Sequence, residues 1–176
     1  MKKFTAVAFL TIILIIATIC FAGTQPAEGA QNDYLRIHVR ANSNDQTDQS
    51  VKYKVKDEVV KFITPYVAEC VDKPTAMSVI GEILPEIEKV CDAKLKAEGF
   101  SYTSKAQIRE EEFPTRVYGD LTLENGVYDA LIIELGSGTG DNWWCVIYPP
   151  LCFTSGTTDV KYRSAIKEII DYFFSK

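Results

Sequence analysis

Histidine is almost missing from this chain: His38 is the only one in 176 residues. A metal centre built on several imidazoles is therefore excluded before any motif is considered. No two cysteines stand in C-x-x-C spacing, which disfavours a zinc ribbon and thioredoxin-type redox chemistry. Glycine and proline number only 10 and 7, too few for a collagen-like chain, and there is no internal repeat or low-complexity segment. An excess of positive charge is also lacking. The 19 basic residues are scattered among 24 acidic ones for a net charge of −5. Without a dense Lys/Arg surface to neutralise phosphates, no nucleic-acid partner is expected. What the chain does have is apolar material, 47% of its residues, enough for the core of one domain.

The longest apolar run lies at the start. Lys2 and Lys3 precede Phe4 to Ala22, nineteen residues without a charge. A short basic head before an apolar stretch is the layout of an export signal, and this one approaches the roughly 20 residues of a membrane span. Residues 1–22 are thus read as a cleaved signal peptide, with Cys20 and Ala22 as the small residues before the cut, or as an uncleaved membrane anchor. Bulky Ile19 argues against lipidation at Cys20. In either case the lysines stay cytoplasmic and the rest is exported. Without Lys2 and Lys3 the exported part keeps 17 basic and 24 acidic residues, a net of −7. Residues 23–33 read as a polar linker and 34–176 as a single domain.

Tyr34 to Arg40 alternates, with Leu35, Ile37 and Val39 on one side and Arg36, His38 and Arg40 on the other, the pattern of a half-buried strand. Asn42 to Asp45 break it and offer helix N-caps. Val51, Val55, Val59, Phe62 and Ile63 then recur at helical spacing until Pro65. A second helix starts near Thr75, is expected to kink at Pro85 and ends at Gly99. From Phe100 to Ile108 the period becomes two. Two further strands, Val117 to Leu123 and Val127 to Leu135, are expected to pair across Asn125-Gly126 as a hairpin. A glycine-rich turn, Gly136 to Asn142, leads to a strand from Trp143 to Tyr148. A last helix after Asp159 carries Tyr162, Ile166, Ile169, Ile170 and Phe173 inward. The expected fold is α+β: a mainly antiparallel sheet of about five strands, two long helices and a C-terminal helix packed on it, in the order β-α-α-β-β-β-β-α.

Several side chains invite chemical readings. Gly136-x-Gly138-x-Gly140 lies between strands, opens no helix and lacks a Lys-Ser/Thr, so it reads as a turn; no cofactor is expected. Pro149-Pro150 can turn the chain so that Cys145 and Cys152 form a structural disulfide, which export permits. Cys70 and Cys91 look like small buried hydrophobes on helices. A thiol hydrolase can be drawn from Cys145 or Cys152 with His38 and Asn142, but it needs a free thiolate beside the imidazole. His38, on the polar side of its strand between two arginines, reads as an exposed or locally bonded group, or as a surface contact. Asn42 joins it as a candidate binding residue. Arg116 reads as an internal clamp on Asp120 or Asp141, or as an interfacial guanidinium. Trp143 and Trp144 should point to opposite faces of their strand. An outward Trp beside Tyr148 and the two prolines would make a protein-binding anchor. Lys52, Lys54, Lys56 and Lys61 read as a solvated helix face, or as a contact for anionic lipid.

Three dense segments carry a resemblance: Leu35 to Ser43 (LRIHVRANS), Phe113 to Leu121 (FPTRVYGDL) and Gly140 to Phe153 (GDNWWCVIYPPLCF). Together they resemble the stage II sporulation protein R family of endospore-forming bacteria. The resemblance implies a signalling protein made in the forespore and exported into the space between forespore and mother cell. There it would activate a membrane-embedded aspartic protease that processes the precursor of the sporulation factor sigma-E. It implies binding rather than catalysis, and it transfers no catalytic residue.

Overall fold

The computed structural model describes residues 33–118 and 121–153. The N-terminal signal or anchor, residues 23–32 of the linker, Asp120 and the C-terminal helix expected after Asp159 all lie outside the described residues. Among the described residues no helix is long and apolar enough to cross a membrane.

The chain opens with β1 (Leu35–Arg40), then runs through three helices, α1 (Gln46–Val67), α2 (Lys73–Glu82) and α3 (Leu84–Ala97). Six strands alternate with turns: after β1 come β2 (Ser104–Phe113), β3 (Arg116–Tyr118), β4 (Leu121–Leu123), β5 (Gly126–Leu135) and β6 (Asn142–Tyr148), followed by a 3₁₀ turn at Leu151–Phe153. Four strands form one sheet in the order β2-β5-β1-β6, while β3 and β4 form a separate pair. Only β1 and β5 run parallel; the other neighbours are antiparallel. The class is α+β with a mostly antiparallel mixed sheet.

The helices cover one side of that sheet. Leu35, Ile37 and Val39 of β1, which alternation sends to one face, are fully buried together with Val51, Val55, Val59 and Ile63 of α1. Ile80, Ile87, Cys91 and Leu95 bring α2 and α3 into the same core. Burial of this kind contributes about 1.5–3 kcal/mol for each large aliphatic side chain, which is why these helices sit where they do.

The elements depart from the sequence expectation in four places. Pro65 does not end α1, which continues to Val67. The missing amide falls in the last turn, where little helix remains to be disrupted. The kink expected at Pro85 is a full break: α2 ends at Glu82, Ile83 leaves the helical region and Pro85 starts α3 near its first position, where a proline lacks nothing it needs. The second strand lies at Ser104–Phe113 rather than from Phe100. Finally, the run from Val117 to Leu123 folds on itself. Arg116 pairs with Leu123 and Tyr118 with Leu121, while Asn125-Gly126 joins no paired strands, because β5 pairs with β2 and β1. In the sequence Gly119 stands in the middle of that run, and a glycine weakens a strand interior.

Candidate functional site

The loops at one end of the sheet are held by polar contacts. Asn42 donates through Nδ2 to Asp48 (2.8 Å), and its Oδ1 accepts from the amide of Ser137 (2.9 Å). Its carbonyl accepts from the hydroxyls of Ser137 and Thr139. Gly136 and Gly138 adopt φ of 57° and 62°, a region favouring glycine, and a Cβ at Gly136 would collide with Asn42 Oδ1. Asp48 accepts from Ser43, Tyr102 and Asn42 at 2.7–2.8 Å. Burial pushes its pKa up, but these donors outweigh burial and leave it below the ordinary value. Asn42 is therefore a turn-fixing residue, committed to internal bonds, and not the open contact its position suggested. Lys52 is likewise not on a solvated face: it is buried, with Nζ bonded to Gln49 Oε1 (2.6 Å) and the Asp141 carbonyl (2.9 Å).

The other face of the sheet carries a different chemistry. Phe113, Tyr128, Ala130 and Ile132 form a second buried cluster, with Tyr34 and Trp144 packed against it. Alternation along β1 delivers Arg36 and His38 to this face. Arg36 is 0% exposed. Its guanidinium carbon sits 4.1 Å from the centroid of the Phe113 ring and 4.7 Å from that of Tyr128. Nη2 donates to the Tyr118 hydroxyl at 3.1 Å, whereas Nε and Nη1 are buried with no hydrogen-bond partner among the described residues. Burial lowers its pKa from the ordinary arginine value; Tyr118 opposes that shift and the nearby charge of Arg116 adds to it.

Of its two readings, exposed or locally bonded, the second holds: His38 is buried and its Nε2 accepts from Arg40 Nε at 3.4 Å. It stacks on Trp144 with ring centroids 3.9 Å apart and meets Phe113 edge-on at 5.9 Å. Burial lowers its pKa to about 4, so the imidazole is neutral at neutral pH. It is buried because Phe113 and Trp144 cover this part of the face to which alternation sends it. Arg116 does not clamp Asp141, and Asp120, the other acid named for it, lies outside the described residues. The contacts of Arg116 are the Thr115 carbonyl (3.4 Å) and the face of Trp144, 5.9 Å from the centroid, and Asp141 belongs to the loop end with Asn44 and Lys52.

The tryptophans do point to opposite sides. Trp143 packs on the helix-side core beneath Lys56, and Trp144 joins the second cluster. Tyr148, expected beside an outward Trp, is 3% exposed and belongs to the helix-side core, so it offers no anchor. Cys145 and Cys152 are joined in a disulfide that ties the 3₁₀ turn to β6. Cys145 lies opposite Ile37 in the β1–β6 register, while Trp144 lies opposite His38. The sulfur and the imidazole are thus on different faces, and the thiol–imidazole arrangement of a hydrolase is not assembled. Cys91 is buried and its thiol is pushed up to about 12 by that burial; Cys70 is half-buried. Among the described residues no group of three or more His, Cys, Asp or Glu is placed to hold a metal.

Sequence reasoning missed Arg36, Phe113, Tyr118 and Tyr128 as members of one cluster. The only available signal was that the first dense segment contributes an arginine and the second two aromatics at spacings fit for strands, while Tyr128 lies in neither.

Fold and cluster together define a small disulfide-bearing α+β domain whose second sheet face is a cationic aromatic patch. Residues 31–158 match the family model described as stage II sporulation protein R. The whole chain is 34% identical, over 185 aligned residues covering 80% of the relative, to the stage II sporulation protein R of Bacillus subtilis strain 168. No solved structure matches the chain. The chain belongs to the stage II sporulation protein R family.

Proposed function

We propose that this chain is an exported signalling protein of endospore formation. Made in the forespore, it enters the space between forespore and mother cell, secreted or held by its N-terminal segment. It activates a membrane-embedded aspartic protease that processes the sigma-E precursor. Activation works by differential binding: contact with the exported side of the protease favours its active state. The observation that carries this reading is family membership, with identity spread over the entire chain. The location of two dense segments supports it. LRIHVRANS and FPTRVYGDL meet in three dimensions at the Arg36–Phe113–Tyr118 cluster.

The test is co-expression in a non-sporulating host with the candidate protease and the sigma-E precursor, scoring the precursor's size. Processing by the wild type that is lost without residues 1–22 and survives Cys145→Ser is the expected result. Absence of processing by an exported, folded wild type overturns the reading.

A further inference from the structure

Arg36 is out of place by ordinary rules. A guanidinium with no access to water is retained when a carboxylate or a full set of acceptors meets it. Here one of its three nitrogens has a well-formed bond, to the Tyr118 hydroxyl, the Tyr128 hydroxyl interacts with the guanidinium more weakly, and Nε and Nη1 have no partner of good geometry among the described residues. Stacking on Phe113 and Tyr128 returns part of the lost hydration but supplies no acceptor. A second guanidinium, that of Arg116, lies close enough to repel it and is not paired with an acid among the described residues. Two arginines therefore converge, walled by the rings of Phe113, Tyr128 and Trp144.

We propose that Arg36, with Arg116 at its rim, is a receptor for a single carboxylate on an acidic segment of the partner protein. This rests on the proposed function and names the chemistry of its contact. The planar fork of Arg36 can make two parallel bonds to a carboxylate through Nε and Nη2 once the Tyr118 hydroxyl leaves Nη2. The rings accommodate an apolar neighbour of the acidic residue. The entrance is the β3–β4 pair, three residues per strand and bonded to each other rather than to the main sheet. A two-stranded pair of this size is marginally stable alone, so it is the element able to shift. Its Tyr118 hydroxyl occupies the guanidinium in the closed form, and Arg116 on β3 meets the incoming acid first.

Two measurements test this. In the first, full-length protein purified in detergent is melted with increasing N-acetylglutamate amide, with N-acetylglutamine amide as the neutral control. The acid is expected to raise the melting temperature and change the fluorescence of Trp144, the neutral compound to do neither, and Arg36→Met to abolish the response. Equal responses to both compounds, or none to either, overturn the assignment. In the second, Arg36→Met and Arg36→Gln are compared with wild type in the co-expression assay. Processing is expected to fall by at least roughly tenfold, with the variants melting no lower than wild type. If wild type processes and both variants process equally well, the carboxylate site is wrong and the signalling reading stands. If wild type itself fails, the signalling reading falls whatever the melts show. Variants that melt well below wild type overturn the proposal, because they make Arg36 a structural support.

Discussion

Two arginines four residues apart on β1 face the same side of the sheet and are treated in opposite ways. Arg40 is compensated: Nη2 meets Glu111 at 2.9 Å and Nη1 meets Glu134 at 3.0 Å, and Arg109 closes the network on the same acids. It keeps about a quarter of its side-chain surface in water. Arg36 is fully buried among rings with phenols as its only partners among the described residues, Tyr118 well placed and Tyr128 more weakly so. The same residue type on the same strand is a structural tie at one end and an unsettled charge at the other. Networks that support a fold are satisfied, whereas buried groups left short of partners mark places where stability has been given up for something else.

The comparison breaks most completely if the aromatic end is removed. Phe113 is the one side chain that touches Arg36, His38, Tyr128 and Trp144. Phe113→Ala is expected to cost about 3–5 kcal/mol, seen as a lower denaturation midpoint. The neutral histidine between the two arginines gives the next effect. Its folded pKa of about 4 lies below its ordinary 6.5, so the unfolded chain takes up the proton first as pH falls. Its contribution to stability is complete above pH 6.5 and is lost between 6.5 and 4, at up to about 1.4 kcal/mol per pH unit. The wild-type stability curve over that window, minus that of His38→Gln, should show this slope. Coincident curves would mean that the imidazole titrates freely.

Sharper still is the matched pair of substitutions. Arg40→Met leaves Glu111 and Glu134 with Arg109 as their remaining cation and is expected to cost about 1–2 kcal/mol, reduced from a buried-pair value by exposure. Arg36→Met removes a charge short of acceptors and is expected to be neutral or to stabilise by about 1 kcal/mol. Urea midpoints of the two variants should therefore move in opposite directions. Movement in the same direction would show that the rings and one phenol satisfy a guanidinium as well as two carboxylates do.

How much of this was written in the sequence depends on the range of the contacts. Leu35, Ile37 and Val39, and the valines of α1, declared their face by period alone, and the α+β class followed. The turn at Asn42 and Gly136 was legible as a turn, but not as a single joint, because its two halves are ninety-odd residues apart. The burial of His38 and Arg36 is not legible, since alternation reports which residues share a side and not what covers it. The β3–β4 pair was read as one strand because β-forming residues flank Gly119 on both sides. Recognition of the three dense segments worked where physics was silent: it grouped residues that meet only after folding.

Tyr118 gives the smallest effect and the finest cut between the two ends of β1. Its hydroxyl accepts the one well-formed hydrogen bond of the Arg36 guanidinium among the described residues, so Tyr118→Phe is expected to cost about 0.5–1.5 kcal/mol, the worth of one hydrogen bond. At the Arg40 end, loss of one acceptor would leave another in place. At the Arg36 end it leaves only the weaker interaction with Tyr128, and the guanidinium should respond more strongly to an added carboxylate. The rise in melting temperature caused by N-acetylglutamate amide should therefore be larger in Tyr118→Phe than in wild type. An unchanged rise would mean that the phenol and the carboxylate do not compete, and that the hydroxyl belongs to the fold in the same sense as Glu111 and Glu134.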